Sequence, residues 1–344
     1  MKTVLIGLGM VAETHLLAIR DATPQVMLSG VMGRNRERAE AFAQKASRML
    51  GYPVPVLGDM AAVLSARPDF VIVATPPDAR MEITTALAAE KIPILMEKPV
   101  ERSLPAAVSV VTLCERAGVP LGIVLQHRAR EASQALQKAL ANNELGQIAT
   151  VDIRVPWWRD QAYYDAPGRG TYARDGGGVM INQAIHSLDL ALWLLGPVRS
   201  LTAMMHRTPL HSLEAEDWAA TLLQMENGAA GVLTATTAAF PGGAESISVQ
   251  GTQGCAHLAS GVLTLTDMSG GVESVGETAA TGGGADPMAF THAWHQTVLE
   301  DFVTSLAQGR EPLASGRSAL AAQAVITAMA TSSETGQRTE VERV

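Results

Sequence analysis

A chain of 344 residues, 47% hydrophobic and 17% charged, has room for two domains and is too apolar for intrinsic disorder. Its net charge of -8, with lysine and arginine scattered, argues against a nucleic-acid partner, which needs a clustered basic footprint. Cys114 and Cys255 stand without CxxC spacing, so no disulfide framework and no metal are expected, and the expected compartment is the reducing cytoplasm.

The opening MKTVLIGLGMVAETH has too short an apolar run for a secretory signal, and no segment reaches the roughly 20 apolar residues of a membrane span. Strand, glycine turn and amphipathic helix then alternate. Strands are expected over 3–6, 26–32, 69–74, 94–96 and 120–125, with helices over 12–20, 36–48, 79–90 and 106–117. That alternation predicts a doubly wound parallel sheet.

The first turn carries chemistry. Gly7, Gly9 and Ala12 form GxGxxA between a strand and a helix, with Met10 and Val11 inside it. The first glycine permits the tight turn, the second lets a pyrophosphate approach the backbone, and a small third residue allows close helix packing. A bound dinucleotide is therefore expected. At the end of the second strand a carboxylate would bind the ribose 2'-hydroxyl, but here the chain reads Gly33-Arg34-Asn35-Arg36-Glu37-Arg38. Arg34 and Arg38 suit a 2'-phosphate, so NADP is expected, with NAD the alternative.

Beyond Gln126 the alternation stops. A helix over 131–141 and strands over 149–155, 198–205, 218–225, 229–237 and 246–250 follow, separated by glycine turns at Gly228 and at Gly242-Gly243. A Gly-rich loop is expected over 269–286 and closing helices over 288–308 and 316–332.

Several stretches together resemble the Gfo/Idh/MocA family of oxidoreductases. They are the glycine turn, ATPP ending at Pro77, Glu97-Lys98-Pro99, GVPLGIVLQHR, the WWR and YYD pair, and GGGVMINQAIHSLDL. The resemblance implies an N-terminal Rossmann domain over 1–125. A substrate-binding and oligomerisation domain over 126–344 follows, α+β with an open-faced, mostly antiparallel sheet, and the C-terminal helices can pack back on the first domain. It also implies an active site between the domains, Thr75, Pro76, Pro77, Glu97 and Lys98 against the cofactor, and a homodimer or homotetramer.

Carried over residue by residue, the family's catalytic groups fall on Lys98, Asn182 and His186. Asn182 departs from the aspartate of many members and cannot exchange a proton, although it can orient a hydroxyl. Oxidising a secondary alcohol needs a proton acceptor beside the hydride acceptor, and His186 titrates in the suitable range, with Lys98 stabilising alkoxide charge. The reverse assignment of Lys98 and His186 remains open at this point. Asp189 is placed to orient the His186 imidazole or to form a structural salt bridge.

The substrate side is marked by Trp157, Trp158, Tyr163, Tyr164 and Tyr172, interleaved with Arg154, Arg159, Arg169 and Arg174. Flat rings stack on sugars, so a small-molecule carbohydrate, polyol or sugar acid is expected, held by Gln126, Arg128, Trp158, Arg159, Tyr164 and Asn182. The same stretch also reads as an arm packing on a neighbouring subunit. The expected activity is hydride transfer between NAD(P) and a secondary alcohol of that substrate. An NAD-dependent glycosidase of the same fold and a non-catalytic dinucleotide sensor are the alternatives.

Overall fold

The computed structural model describes residues 1–280, 282–284 and 286–344. They divide into two compact units, one formed by Met1–Glu101, Pro105–Gln126 and His292–Ala319, the other by Arg102–Leu104, His127–Thr291 and Leu320–Val344.

In the first unit the order is β1 (Lys2–Ile6), α1 (Ala12–Asp21), β2 (Met27–Met32), α2 (Arg36–Leu50), α3 (Met60–Ser65) and β3 (Phe70–Val73). It continues with α4 (Arg80–Ala89), β4 (Ile94–Glu97), α5 (Leu104–Ala117) and β5 (Leu121–Val124). The strands pair in parallel in the order β2-β1-β3-β4-β5. Every side chain of β3, β4 and β5 is buried, as parallel strands covered on both faces require. The chain moves from β1 outward to β2 and then back to β3 on the other side, so the order reverses between β1 and β3. In such sheets the crevice lies beyond the carboxyl ends of those strands.

The second unit holds α6 (Glu131–Ala141), β6 (Ile148–Pro156), the short α7 (Gln161–Tyr164), a π-helical turn (Met180–Ala184) and α8 (Ile185–Leu195). The strands β7 (Val198–His206), β8 (Trp218–Met225), β9 (Ala230–Thr236) and β10 (Ser246–Gly251) follow. Then come β11 (Gly254–Ala259), β12 (Val262–Asp267) and β13 (Val272–Val275). The helices α9 (Ala293–Gln308) and α10 (Gly316–Thr335) and the strand β14 (Thr339–Glu340) end the chain.

The second sheet has nine strands in the order β13-β12-β11-β10-β6-β9-β8-β7-β14, antiparallel except where β6 runs parallel to β9. One face packs Val151, Ile153, Leu201, Leu233 and Val249 against Leu136, Leu188, Val325 and Met329. On β7, β8 and β9 the other face leaves Met204, Leu222 and Val232 exposed. A one-sided core of this kind produces the alternating burial seen along β8 and β10.

The expected Gly-rich loop over 269–286 is corrected by β13, which lies inside it and pairs with β12. This edge strand is exposed along nearly its whole length, so it lacks the alternation that marks a half-buried strand. Positions 281 and 285 of that stretch lie outside the described residues.

Helix α9 belongs to the first unit. Phe302 sits over Gly122 of β5, where a Cβ would come within 2.6 Å of the ring, and meets Phe70 of β3 edge-on at 5.6 Å between centroids. Burying such a ring contributes roughly 1.5–3 kcal/mol, enough to hold a late helix on an early sheet. Among the described residues no helix is long and apolar enough to cross a membrane.

Candidate functional site

At the end of β1 the chain turns through Gly7 with φ +98°, a conformation that side chains disfavour. A Cβ there would come within 2.5 Å of the Ala74 carbonyl carbon, so packing of the β1 end on the β3 end already demands this glycine. Gly9 is different. Nothing lies within 4 Å of its Cβ position, so no neighbour within the chain demands glycine there. Bare backbone facing open space just before α1 fits a pyrophosphate, which needs close approach to amides at a helix N-terminus. Ala12, 1% exposed, seats that helix on the sheet.

At the β2 end a Cβ on Gly33 would touch the Leu8 side chain at 3.1 Å. Asn35 caps α2, its side chain accepting from the Arg38 amide at 2.8 Å. Arg36 pairs with Glu40, whereas Arg34 and Arg38 are exposed and form no ion pair among the described residues.

Thr75, Pro76 and Pro77 follow β3, and Lys98 follows β4 at the same edge of the sheet, before a cis peptide to Pro99. Glu97, expected beside the cofactor, turns its carboxylate inward and is 7% exposed. It accepts from His15 Nε2 on α1 at 2.9 Å, with His295 Nε2 of α9 at 3.7 Å, and the two rings meet edge-on at 5.4 Å. Burial opposes ionisation of Glu97, but hydrogen bonding to His15 and His295 outweighs it and holds the carboxyl well below its ordinary range. Burial also depresses His295, against the pull of Glu97. An anionic Glu97 therefore fixes the proton of His15 on Nε2.

In the second unit, Gly176 and Gly178, two of the three glycines before the π turn, make room for this chain's own backbone. A Cβ on Gly176 would lie 2.5 Å from Arg102 O and one on Gly178 1.7 Å from Glu216 O. Glu216 accepts from the amides of Gly178 and Met180, each at 3.0 Å, and its carbonyl accepts from Val179 at 2.8 Å. These contacts tie Gly176 and Gly178 to the packing of the chain on itself.

Asn182 lies in the π turn and His186 in the first turn of α8. The Asn182 Nδ2 donates to Gly177 O at 2.8 Å and Gly178 O at 3.0 Å. His186, 7% exposed, stacks on His127 at 5.0 Å with the planes 29° apart. His127 Nε2 is 3.9 Å from Glu245 Oε1, which accepts from Arg130 NH1 at 2.7 Å. His127 stands between Gln126 and Arg128 just after β5. Its nearness to His186 arises from tertiary packing across 59 positions of sequence, which no local pattern encodes.

The residues expected to hold substrate divide. Arg128, 3% exposed, is engaged with Asp189 through two hydrogen bonds of 2.8 and 2.6 Å, so the carboxylate considered for orienting His186 serves Arg128 instead. Burial raises the Asp189 carboxyl and Arg128 offsets part of the rise. Arg159 donates to the carbonyls of Trp158, Gly284 and Gly282 at 2.6–2.7 Å, which places its guanidinium in the architecture of the Gly-rich loop. The buried Tyr164 hydroxyl bonds Thr237 Oγ1 at 2.6 Å. Trp158 lies against His211 and edge-on to the exposed Phe240. Gln126, the last residue of the first unit's second segment, has its Oε1 buried and without a hydrogen-bond partner among the described residues. Tyr163, one of the aromatic residues expected on the substrate side, forms a further polar pair with Gln183: its hydroxyl receives Gln183 Nε2 at 3.0 Å and Arg169 NH1 at 2.7 Å. Among the described residues no cluster of His, Cys, Asp or Glu suits a metal ion.

Two family models match this chain. Residues 1–124 match the NAD-binding Rossmann fold of an oxidoreductase family, and 133–257 match the Gfo/Idh/MocA C-terminal domain. A D-apiose dehydrogenase of Rhizobium rhizogenes is 26% identical, over 99% of this chain and 97% of its own length. An inositol 2-dehydrogenase of Rhizobium meliloti is 24% identical over 93% of each chain. Among solved structures, the WlbA dehydrogenase of Bordetella pertussis in complex with NADH and UDP-GlcNAcA superposes with a TM-score of 0.82. It is 26% identical, over 99% of this chain and 98% of that one.

Two substitutions separate architecture from ligand binding. Gly9→Ala, meeting no neighbour, is expected to change stability by no more than about 0.5 kcal/mol while weakening NADPH and NADH binding at least about tenfold. Thermal melts and calorimetric titration check this, and unchanged affinity would contradict the reading of the turn. Arg128→Met leaves Asp189 buried without its partner and is expected to cost about 3–5 kcal/mol. A denaturation midpoint equal to the parent's would contradict a structural role for the pair.

Proposed function

The chain belongs to the Gfo/Idh/MocA family of oxidoreductases, and from that premise we propose that it is an NADP-dependent dehydrogenase of a sugar, sugar acid or polyol. Bound nicotinamide supplies the hydride acceptor. The observation that carries the proposal is the row of strand ends at one sheet edge, which sets bare Gly9, Thr75 and Lys98 where a dinucleotide-binding sheet holds its ligand.

In this reading Lys98, as an ammonium, stabilises the negative charge developing on the substrate oxygen. His186 accepts the hydroxyl proton, its ring held in one plane by the stack on His127. Asn182, with its amide nitrogen occupied, orients the substrate by accepting a hydrogen bond from a hydroxyl. The carbohydrate class is supported by the dehydrogenase relatives, which are named for D-apiose and inositol. Gln126 and Trp158 remain proposed substrate contacts.

The preference for NADP rests on the absence of a carboxylate at the β2 end and on the exposed, unpaired Arg34 and Arg38. A guanidinium fork engages a phosphate but gains little from a bare ribose hydroxyl. The open face of the nine-stranded sheet, with Met204, Leu222 and Val232 on the adjacent strands β7, β8 and β9, is the proposed surface for a homodimer or homotetramer.

Lys98→Met and His186→Asn are each expected to lower kcat by a factor on the order of 100 or more while dinucleotide affinity stays near the parent's. Full turnover in either variant would remove that residue from the mechanism. For the cofactor, kcat/KM should favour NADP(H) at least about tenfold, and Arg34→Ala should erase most of that preference. A preference for NADH in the parent enzyme overturns the assignment.

A further inference from the structure

The bulkiest fully buried side chain among the described residues is a cation, Arg80, at the start of α4. A buried guanidinium ordinarily faces a carboxylate, because an unpaired charge is expensive to desolvate. Arg80 forms no ion pair among the described residues, and its donors go to main-chain oxygens. Nε and NH2 reach Thr75 O at 3.1 and 2.8 Å, and NH1 reaches both Glu97 O and Pro99 O. Thr75 lies in the loop after β3, and Glu97 and Pro99 flank Lys98. One rigid fork thus ties together two neighbouring strand ends.

From these bonds we infer that Arg80 is the positioning residue for Lys98, fixing the main chain on either side of it and locking the Glu97-Lys98-Pro99 turn to the Thr75 loop. The inference rests on the reading of Lys98 as the charge-bearing group of the reaction. Only a planar group with several donors in fixed directions can span three carbonyls, so a lysine at this position keeps the charge and loses the geometry. The side chain of Glu97 is fastened separately by His15, so the turn is held through both its backbone and its carboxylate. Burial lowers the Arg80 pKa to about 10, against the pull of Glu97, Glu101 and Asp78, so the guanidinium stays charged at neutral pH.

The test uses Arg80→Lys and Arg80→Met, with hydrogen exchange of the full-length protein read by mass spectrometry. If Arg80 only fills space, methionine fills it nearly as well, and exchange in the turn stays at the parent rate. The inference predicts instead that the amides of Lys98, Val100 and Glu101 exchange at least about tenfold faster in both variants, while β1 and α1 change less than about twofold. With whichever member of a sugar and polyol panel the parent oxidises fastest, kcat should fall on the order of 100-fold in both variants. KM should stay within about threefold, in samples whose melts show them folded. Parent-like exchange across 97–101 in either variant overturns the inference, as does parent-like kcat in Arg80→Lys. Because the exchange readout needs no substrate, it decides the role of Arg80 even where Lys98→Met retains turnover and the reading of Lys98 fails on its own.

Discussion

Parallel pairing is the constraint on which the first unit depends. Strands hydrogen-bonded in the same direction must end at the same edge, and Ile6, Val73 and Glu97 close β1, β3 and β4 side by side. Whatever follows those residues is delivered to one crevice. Here it is the bare turn of Gly7 and Gly9, the Thr75-Pro76-Pro77 loop and Lys98. Sequence separations of more than twenty residues collapse into neighbouring positions because each intervening helix returns the chain to the amino end of the sheet.

Much of the buried charge is spent on holding shape. Arg128 pairs with Asp189, Arg130 with Glu245, and Arg159 and Arg80 bond carbonyls of loops that would otherwise lack a partner in the interior. Buried ion pairs add little net stability, yet losing one member is costly, so such groups specify one arrangement more than they strengthen it. With these guanidinium groups engaged in architecture, Lys98 and His186 are the candidates for proton and charge chemistry. His127 stands behind His186 much as Arg80 stands behind the turn of Lys98, each a neighbour that constrains a group of the proposed mechanism.

The parallel sheet was legible because its strands are short, largely apolar and alternate with helices, a pattern that fits little else. The antiparallel sheet was legible in its middle, where one buried face imposes alternation, and β13 was lost at the exposed edge where that signal fades. The π turn before α8 escaped because an inserted residue barely alters an apolar helix pattern. Asn182 and His186 look like members of one regular helix in sequence, whereas Asn182 falls in the π turn and His186 in α8. Arginines were the hardest residues to read. Arg128 and Arg159 suited a sugar ligand by type, but a guanidinium serves a carboxylate, a carbonyl or a substrate equally well, and only tertiary packing decides which. Glu97 illustrates the same ambiguity: its place beside Lys98 suggested the cofactor, whereas its carboxylate answers to His15, 82 positions earlier.

The account stands on net hydride transfer to a freely exchanging cofactor. The most direct test follows the near-ultraviolet absorbance of reduced nicotinamide while the enzyme, NADP and a panel of free sugars, sugar acids, polyols and glycosides are mixed one at a time. The account predicts a sustained, stoichiometric rise with at least one alcohol of this class. Release of free sugar from a glycoside without that rise, or dinucleotide binding with no turnover of any member, would contradict it.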